Sequence, residues 1–108
     1  MSAPNPYDHG AIDELIHGRI RLGVMAYLAS ASPATFRELR DRVEATDGNL
    51  ATHLRKLEAA GYVRQEKRFV GRRPQTLVHL TDTGREAWLE WLERMQALMA
   101  AARGGAAP

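Results

Sequence analysis

The chain of 108 residues contains no cysteine. Disulfides, thiolate zinc sites and cysteine nucleophiles are therefore excluded together, and stability has to come from packing or from a partner chain. The sequence has no run of about 18 apolar residues that would span a bilayer, and its beginning lacks the basic and apolar regions of a signal peptide. We therefore expect no membrane association and a cytoplasmic location.

Catalytic motifs are absent as well. The sequence has no G-x-S-x-G, G-x-G-x-x-G, P-loop or H-E-x-x-H pattern. A chain of this length forms one domain with a small core, since roughly 100 residues bury only about two-thirds of their unfolded surface. No residue is a candidate for catalysis, no cofactor is expected, and we predict that the protein is not an enzyme.

The net positive charge is small but concentrated in one place. The formal net charge is only +2, yet residues 53–73 contain seven Lys and Arg against two Glu, and the stretches on either side are slightly acidic. A localised basic segment in a nearly neutral chain indicates a polyanionic partner.

Hydrophobic spacing divides the chain into helices and one hairpin. We interpret residues 1–10 as a flexible arm, 11–102 as one folded domain and 103–108 as a flexible tail. Gly18 permits a break between a helical turn or two and the first long helix, which ends near Ser32. The pattern Thr35-x-x-Glu38 is typical of a capping box and predicts a short second helix.

The third helix is predicted over residues 47–60, because Leu50, Leu54 and Leu57 form an apolar stripe and Gly61 is a typical terminator. Its opposite face has no large apolar residue and is free to contact a polar partner. This face contains Asn49, Thr52, Arg55 and Lys56, with His53 on its flank.

Residues rich in β-branched and aromatic side chains predict strands over 62–70 and 76–80. The loop between them, residues 71–75, has Arg72 and Arg73 at its tip. Thr83 and Glu86 then fit a capping box that opens a last helix running to about residue 102.

The last helix has more apolar surface than one core requires, about half of its circumference rather than a stripe of roughly 100°. We therefore predict a homodimer, with the N-terminal residues contributing and with some of the Trp and Met side chains filling the monomer core instead. The predicted interface consists of Ile12, Leu15, Ile16, Trp88, Trp91, Leu92, Met95, Leu98 and Met99.

Several segments resemble the small MarR/ArsR-like winged helix-turn-helix transcriptional regulators, over roughly residues 11–100. They are Leu15 to Leu22, Thr46 to Glu58, Ala60 to Val63, Phe69 to Pro74 and Leu80 to Arg85. The resemblance implies a mostly α fold with a two-stranded β-hairpin wing (α+β). It also implies a homodimer that places its third helix in the major groove of DNA, with the wing flanking that helix.

These observations predict a set of DNA-contacting residues. Asn49, Thr52, His53 and Lys56 offer hydrogen bonds to base edges, while basic residues of the hairpin suit phosphates or a narrow minor groove. The full predicted set is Asn49, Thr52, His53, Arg55, Lys56, Lys67, Arg68, Arg72 and Arg73.

We therefore predict a sequence-specific regulator of transcription, a repressor that binds a palindromic site in double-stranded DNA and is nucleoid-associated when bound. The alternative is a winged-helix module that binds a protein, or binds DNA without strong sequence preference. A small-molecule effector of unknown identity stays open. His9, Asp13 and His17 have spacing that suits a cation, but no metal site is predicted.

Overall fold

The computed structural model describes residues 5–104, so the first four residues of the predicted arm and residues 105–108 of the predicted tail lie outside the described residues. The predicted fold class is confirmed. Four α-helices and three strands follow a short 3-10 turn at His9–Ala11. The elements are α1 (Arg19–Ala31), β1 (Ala34–Thr35), α2 (Phe36–Val43), α3 (Asp47–Ala59), β2 (Val63–Val70), β3 (Arg73–Leu80) and α4 (Asp82–Ala102).

The sheet has one strand more than the predicted hairpin. Its order is β1-β3-β2, and both pairs are antiparallel. β1 contains only two residues, with Ala34 opposite Val78 and Thr35 opposite Leu77. So short a strand leaves no alternating pattern in the sequence, and it exists only because β3 lies beside it.

The predicted five-residue hairpin loop is wrong. β2 and β3 are joined by Gly71 and Arg72 alone, and Val70 lies opposite Arg73. Gly71 has φ +63°, which glycine adopts without steric cost and which tight hairpin turns require. Arg73 and Pro74 are therefore strand residues; Pro74 is tolerated because it lies in the part of β3 that extends past β1.

Threonines cap three helices. The hydroxyl of Thr35 accepts a hydrogen bond from the backbone N–H of Glu38, and that of Thr46 accepts one from Asn49. The predicted cap at Thr83 is wrong, because Thr81 precedes α4 and accepts from Gly84 at 2.9 Å. A Thr-Asp-Thr sequence offers two candidate caps. Thr81 is held in place because its hydroxyl donates to the carbonyl of Gly61 and its backbone N–H donates to the carbonyl of Tyr62 at 3.1 Å.

The core lies between the helices and one face of the sheet. α1, α2 and α3 contribute Val24, Met25, Leu28, Leu39 and the predicted stripe of α3, all fully buried. Ile16, Ala34, Val63, Val78 and the two tryptophans of α4 complete it. Across residues 5–104, every helix is either too short or too polar to span a bilayer.

Residues 5–18, which we call the N-terminal segment, are irregular apart from the 3-10 turn. The segment is anchored by the Tyr62 hydroxyl, which donates to Asp13 Oδ2 at 2.6 Å. This bond, with burial and the negative charge of the carboxylate, raises the pKa of Tyr62 to about 12. The segment therefore lies against Tyr62 and against α4, where the ring centroids of His17 and Trp91 are 6.1 Å apart.

Candidate nucleic-acid interface

α2 and α3 are joined by a tight turn over residues 44–46. Glu44 adopts the left-handed conformation at φ 53°, and the N–H of Ala45 donates to the carbonyl of Arg40 at 3.1 Å, which ends α2. Arg40 also reaches Asp47 in the first turn of α3 at 3.0 Å. The capping turn and this ion pair thus connect the end of α2 to the beginning of α3.

α3 has one buried and one exposed face, as its sequence predicts. Leu50, Leu54 and Leu57 are fully buried, which fixes the rotation of the helix about its axis. Four of its exposed side chains, which we call the polar face of α3, are Asn49, Thr52, Arg55 and Lys56. Because Arg55 Nη2 lies 3.3 Å from Thr52 Oγ1, the two side chains lie side by side on this face.

His53 lies at the margin of the polar face and is half-buried. Its Nδ1 atom is 2.9 Å from Arg21 Nη1, at the beginning of α1. Burial of the ring, followed by the positive charges of Arg21 and Lys56, lowers the pKa of His53 below its ordinary value of 6.5. The imidazole is therefore neutral at pH 7 and available as a hydrogen-bonding group, not as a cation.

The hairpin of β2, β3 and their turn, residues 63–80, forms the wing. Lys67, Arg68, Arg72 and Arg73 are all exposed along its outer half. Arg68 Nε donates to Gln75 Oε1 across the strands at 2.8 Å, so this guanidinium is held against the wing and retains its other donors.

The wing is connected to α3 by Glu58, whose carboxylate accepts from the backbone N–H of Gln65 at 2.9 Å and from the Gln65 side chain at 3.3 Å. This contact sets the base of β2 against the end of α3. The polar face of α3 and the basic outer half of the wing therefore belong to two elements in direct contact.

The structure separates the residues of the predicted dimer interface into two groups. Ile16 is fully buried in the chain's own core and has no surface left for a partner. Trp88 and Trp91 are each 9% exposed and stack with ring centroids 5.4 Å apart. Ile12, Leu15, Leu92 and Met95 are partly buried against the same core.

Beyond Met95 the helix has no core beneath it. Met99 is 50% exposed, Leu98 is partly buried, and Leu89, which the predicted interface does not include, is 56% exposed. A groove of about 370 Å³ separates this end of α4 from the N-terminal segment, with Pro6 and Ile12 on one side and Ala97 and Leu98 on the other. Of the predicted interface residues, the most exposed apolar side chain, Met99, therefore lies at the end of α4.

Sequence reasoning missed two features of this region. The sequence around Arg21 is typical of an exposed helix residue. No neighbouring residue in the sequence predicts its contact with His53, 32 residues away. Phe69 and Val70 are strand residues as predicted, yet they are 74% and 53% exposed because the wing extends past the core. Their exposure depends on how far the strands extend past the core. That distance is set by the tertiary structure and cannot be inferred from the sequence.

Known proteins resemble this chain over most of its length. Residues 20–99 match the family described as the winged helix DNA-binding domain. The structure of a transcriptional regulator homologue from Pyrococcus horikoshii OT3 is 31% identical with a TM-score of 0.78, covering 83% of this chain and 89% of that chain. An uncharacterized protein of Methanocaldococcus jannaschii is 30% identical over 79 residues, 73% of this chain and 86% of that protein.

The fold is shared more widely. A MarR-family transcriptional regulator from Silicibacter pomeroyi superposes with a TM-score of 0.66 at 23% identity, covering 88% of this chain and 63% of that chain. The family match, residues 20–99, runs from α1 into α4 and so includes both α3 and the wing.

Proposed function

Since the chain belongs to the winged helix DNA-binding domain family, we propose that it is a transcriptional repressor that binds a palindromic site in duplex DNA as a homodimer. The observation that supports this proposal is the pairing of an exposed polar helix face with an adjoining basic wing. Base edges in the major groove are read by hydrogen-bonding side chains on such a face, and phosphates are bound by flanking cations.

Within the polar face, Asn49 and Thr52 are the proposed base-reading residues. Both are exposed in the first half of α3, the end that enters the groove in helix-turn-helix proteins. Asn pairs with adenine through two hydrogen bonds, and Thr offers a hydroxyl and a methyl group to neighbouring bases. Lys56, Arg55 and the wing cations supply the contacts to phosphate that hold the helix in register.

The proposed dimer forms through the end of α4 and the N-terminal segment. Two-fold symmetry then repeats the α3 contacts about one duplex turn away, roughly 34 Å, and this repetition predicts the palindrome. Repression follows from steric occupation of a promoter by such a dimer in the cytoplasm.

The deciding experiment is selection of bound sequences from a random duplex pool at about 150 mM salt, near physiological ionic strength, with the oligomeric state measured by light scattering. An enriched palindrome bound by a dimer is the expected result. Recovery of no motif, with binding that disappears as salt rises, contradicts sequence-specific regulation.

Variants locate the base contacts. Thr52→Val keeps the shape and removes the hydroxyl, so we expect discrimination between the selected site and mutated sites to fall by about 1–3 kcal/mol. Thr83→Val, at an exposed position in α4, is the matched control and should bind as the parent does. Unchanged discrimination by Thr52→Val contradicts the proposed reading face.

A second candidate function, docking of a protein partner on the wing, is favoured by one observation. Phe69 and Val70 are exposed beside four cations, a combination that also suits an acidic partner with apolar side chains. This candidate predicts that Phe69→Ser abolishes partner binding and that DNA is bound without sequence preference. The same selection experiment therefore separates the two functions.

A further inference from the structure

We propose that Arg21 is a positioning residue for DNA reading: it fixes the His53 ring in the neutral form that donates from Nε2 to a hydrogen-bond acceptor on the DNA. The inference rests on the proposed function, since it concerns the same interface. It assigns a role to a residue of α1 that lies outside both the polar face of α3 and the wing.

The first step is the hydrogen bond itself. Arg21 Nη1 lies 2.9 Å from His53 Nδ1. A guanidinium has donors and no acceptor, so Nδ1 must be the acceptor and must have no proton. In a neutral imidazole the proton then resides on Nε2, which leaves His53 one donor and no free ring acceptor. The contact therefore decides what His53 offers to a ligand.

The second step is that Arg21 is itself held in place. Its Nε donates to the carbonyl of Leu15 at 2.5 Å, so one guanidinium bridges the N-terminal segment and α3. The group also lies directly over Gly18: a Cβ at that position would be 2.8 Å from Nη2 and 3.0 Å from Cζ of Arg21. Gly18 thus leaves the space that the guanidinium occupies.

The third step concerns charge. A protonated His53 would place a cation beside Arg21 and Lys56, and the partial burial of the ring opposes protonation further. The neutral ring is consequently the form present at neutral pH. His53 therefore offers one uncharged donor, whereas the exposed cations of the wing offer charged donors.

The experiment is a double-mutant cycle on the full chain, using the duplex recovered by selection and a scrambled duplex. We expect His53→Ala and Arg21→Met each to weaken binding to the selected duplex about three- to tenfold, the effect of one hydrogen bond. The double variant should be no weaker than either single variant, because both remove the same contact. Binding to the scrambled duplex should change little.

Gly18→Ala provides a variant that keeps both side chains and displaces only the guanidinium. It should weaken specific binding in the same way, whereas Gly48→Ala, where a Cβ meets no atom within 4 Å, should leave the His53 ring as it is. Nitrogen chemical shifts of His53 should report an unprotonated, hydrogen-bonded Nδ1 in the parent and a free Nδ1 in Arg21→Met. Thermal unfolding verifies that each variant is folded.

Losses that multiply in the double variant would overturn the proposal, since Arg21 would then act on DNA independently of His53. An unchanged Nδ1 shift in Arg21→Met, or full affinity of His53→Ala, would overturn it as well. Failure of the proposed function has a different signature, because the parent itself would then fail to distinguish the selected duplex from the scrambled one.

Discussion

Gly84 shows how one residue determines the docking of a whole helix. It is buried in the first turn of α4, and a Cβ there would overlap the carbonyl oxygen of Tyr62 and lie 2.9 Å from a methyl group of Leu80. Only glycine allows α4 to begin this close to the backbone that enters β2. Its role is close approach, since its φ is not positive.

We expect Gly84→Ala to lower the free energy of unfolding by about 1–3 kcal/mol, because overpacking against backbone is not relieved by a rotamer change. The matched control is Gly48→Ala in the open first turn of α3, which should raise it by about 0.5–1 kcal/mol through helix propensity. Chemical denaturation measures both. Similar effects of the two substitutions would contradict the close approach.

His53 makes a separate, pH-dependent contribution to stability. Its pKa in the folded chain is below 6.5, so the unfolded chain binds the proton more readily. The stabilisation is fully present above the unfolded pKa and is lost as pH falls through about 6.5 and below. The free energy of unfolding of His53→Gln should therefore fall less steeply between about pH 6.5 and 5 than that of the parent. Parallel slopes would show that neither burial nor the neighbouring cations lower the pKa of the ring.

Among the elements, the wing has a turn geometry that determines where its proposed phosphate-binding arginines lie. Its two-residue turn places Arg72 at the end of the hairpin and makes Arg73 a strand residue opposite Val70. The two side chains are adjacent in sequence, but Arg72 belongs to the turn and Arg73 to β3. Both remain exposed and able to bind phosphate.

Replacing Arg72 and Arg73 together by Ala should weaken binding to all duplexes and reduce the slope of log affinity against log salt. The reduction should be about 0.9 for each phosphate that these arginines neutralise in the parent, since neutralising a phosphate releases counterions. Arg103→Ala, at the exposed end of α4, is the control and should leave the slope unchanged. A double variant whose binding is as steeply salt-dependent as that of the parent would show that the wing does not bind phosphate.

The whole molecule is elongated, with dimensions of 61 × 25 × 21 Å. α4, at 1.5 Å per residue, is about 31 Å long, and only its first half contains the buried tryptophans. At its far end, Leu98 lies beside the N-terminal segment and Met99 is 50% exposed, so apolar surface is present where no core lies beneath the helix. This distribution is typical of a helix that serves both a monomer core and an association surface.

Leu98→Glu combined with Met99→Glu should convert the proposed dimer to a monomer while leaving the unfolding transition of the monomer nearly unchanged, because neither residue is fully buried. Light scattering measures the mass, and Gln96→Glu on the same turns is the control for added charge. A double variant that stays dimeric would place the interface elsewhere on the chain.

The local signals in the sequence were sufficient for the four α-helices, the polar face of α3, the threonine cap of α2 and the position of the hairpin. Each depends on residues within one or two turns of one another: the spacing of Leu50, Leu54 and Leu57, the hydroxyl before α2, the glycine after α3. Periodicity and capping act over that range, so the sequence alone suffices for them.

Tertiary structure decided the rest. β1 exists only beside β3, Thr81 caps α4 because the backbone of Tyr62 lies next to it, and Ile16, Trp88 and Trp91 belong to the core because α1 and α4 pack there. Arg21 meets His53 for the same reason. These contacts join residues far apart along the chain. Which residues meet is decided only when the elements pack together, because packing sets their burial and the distances between them.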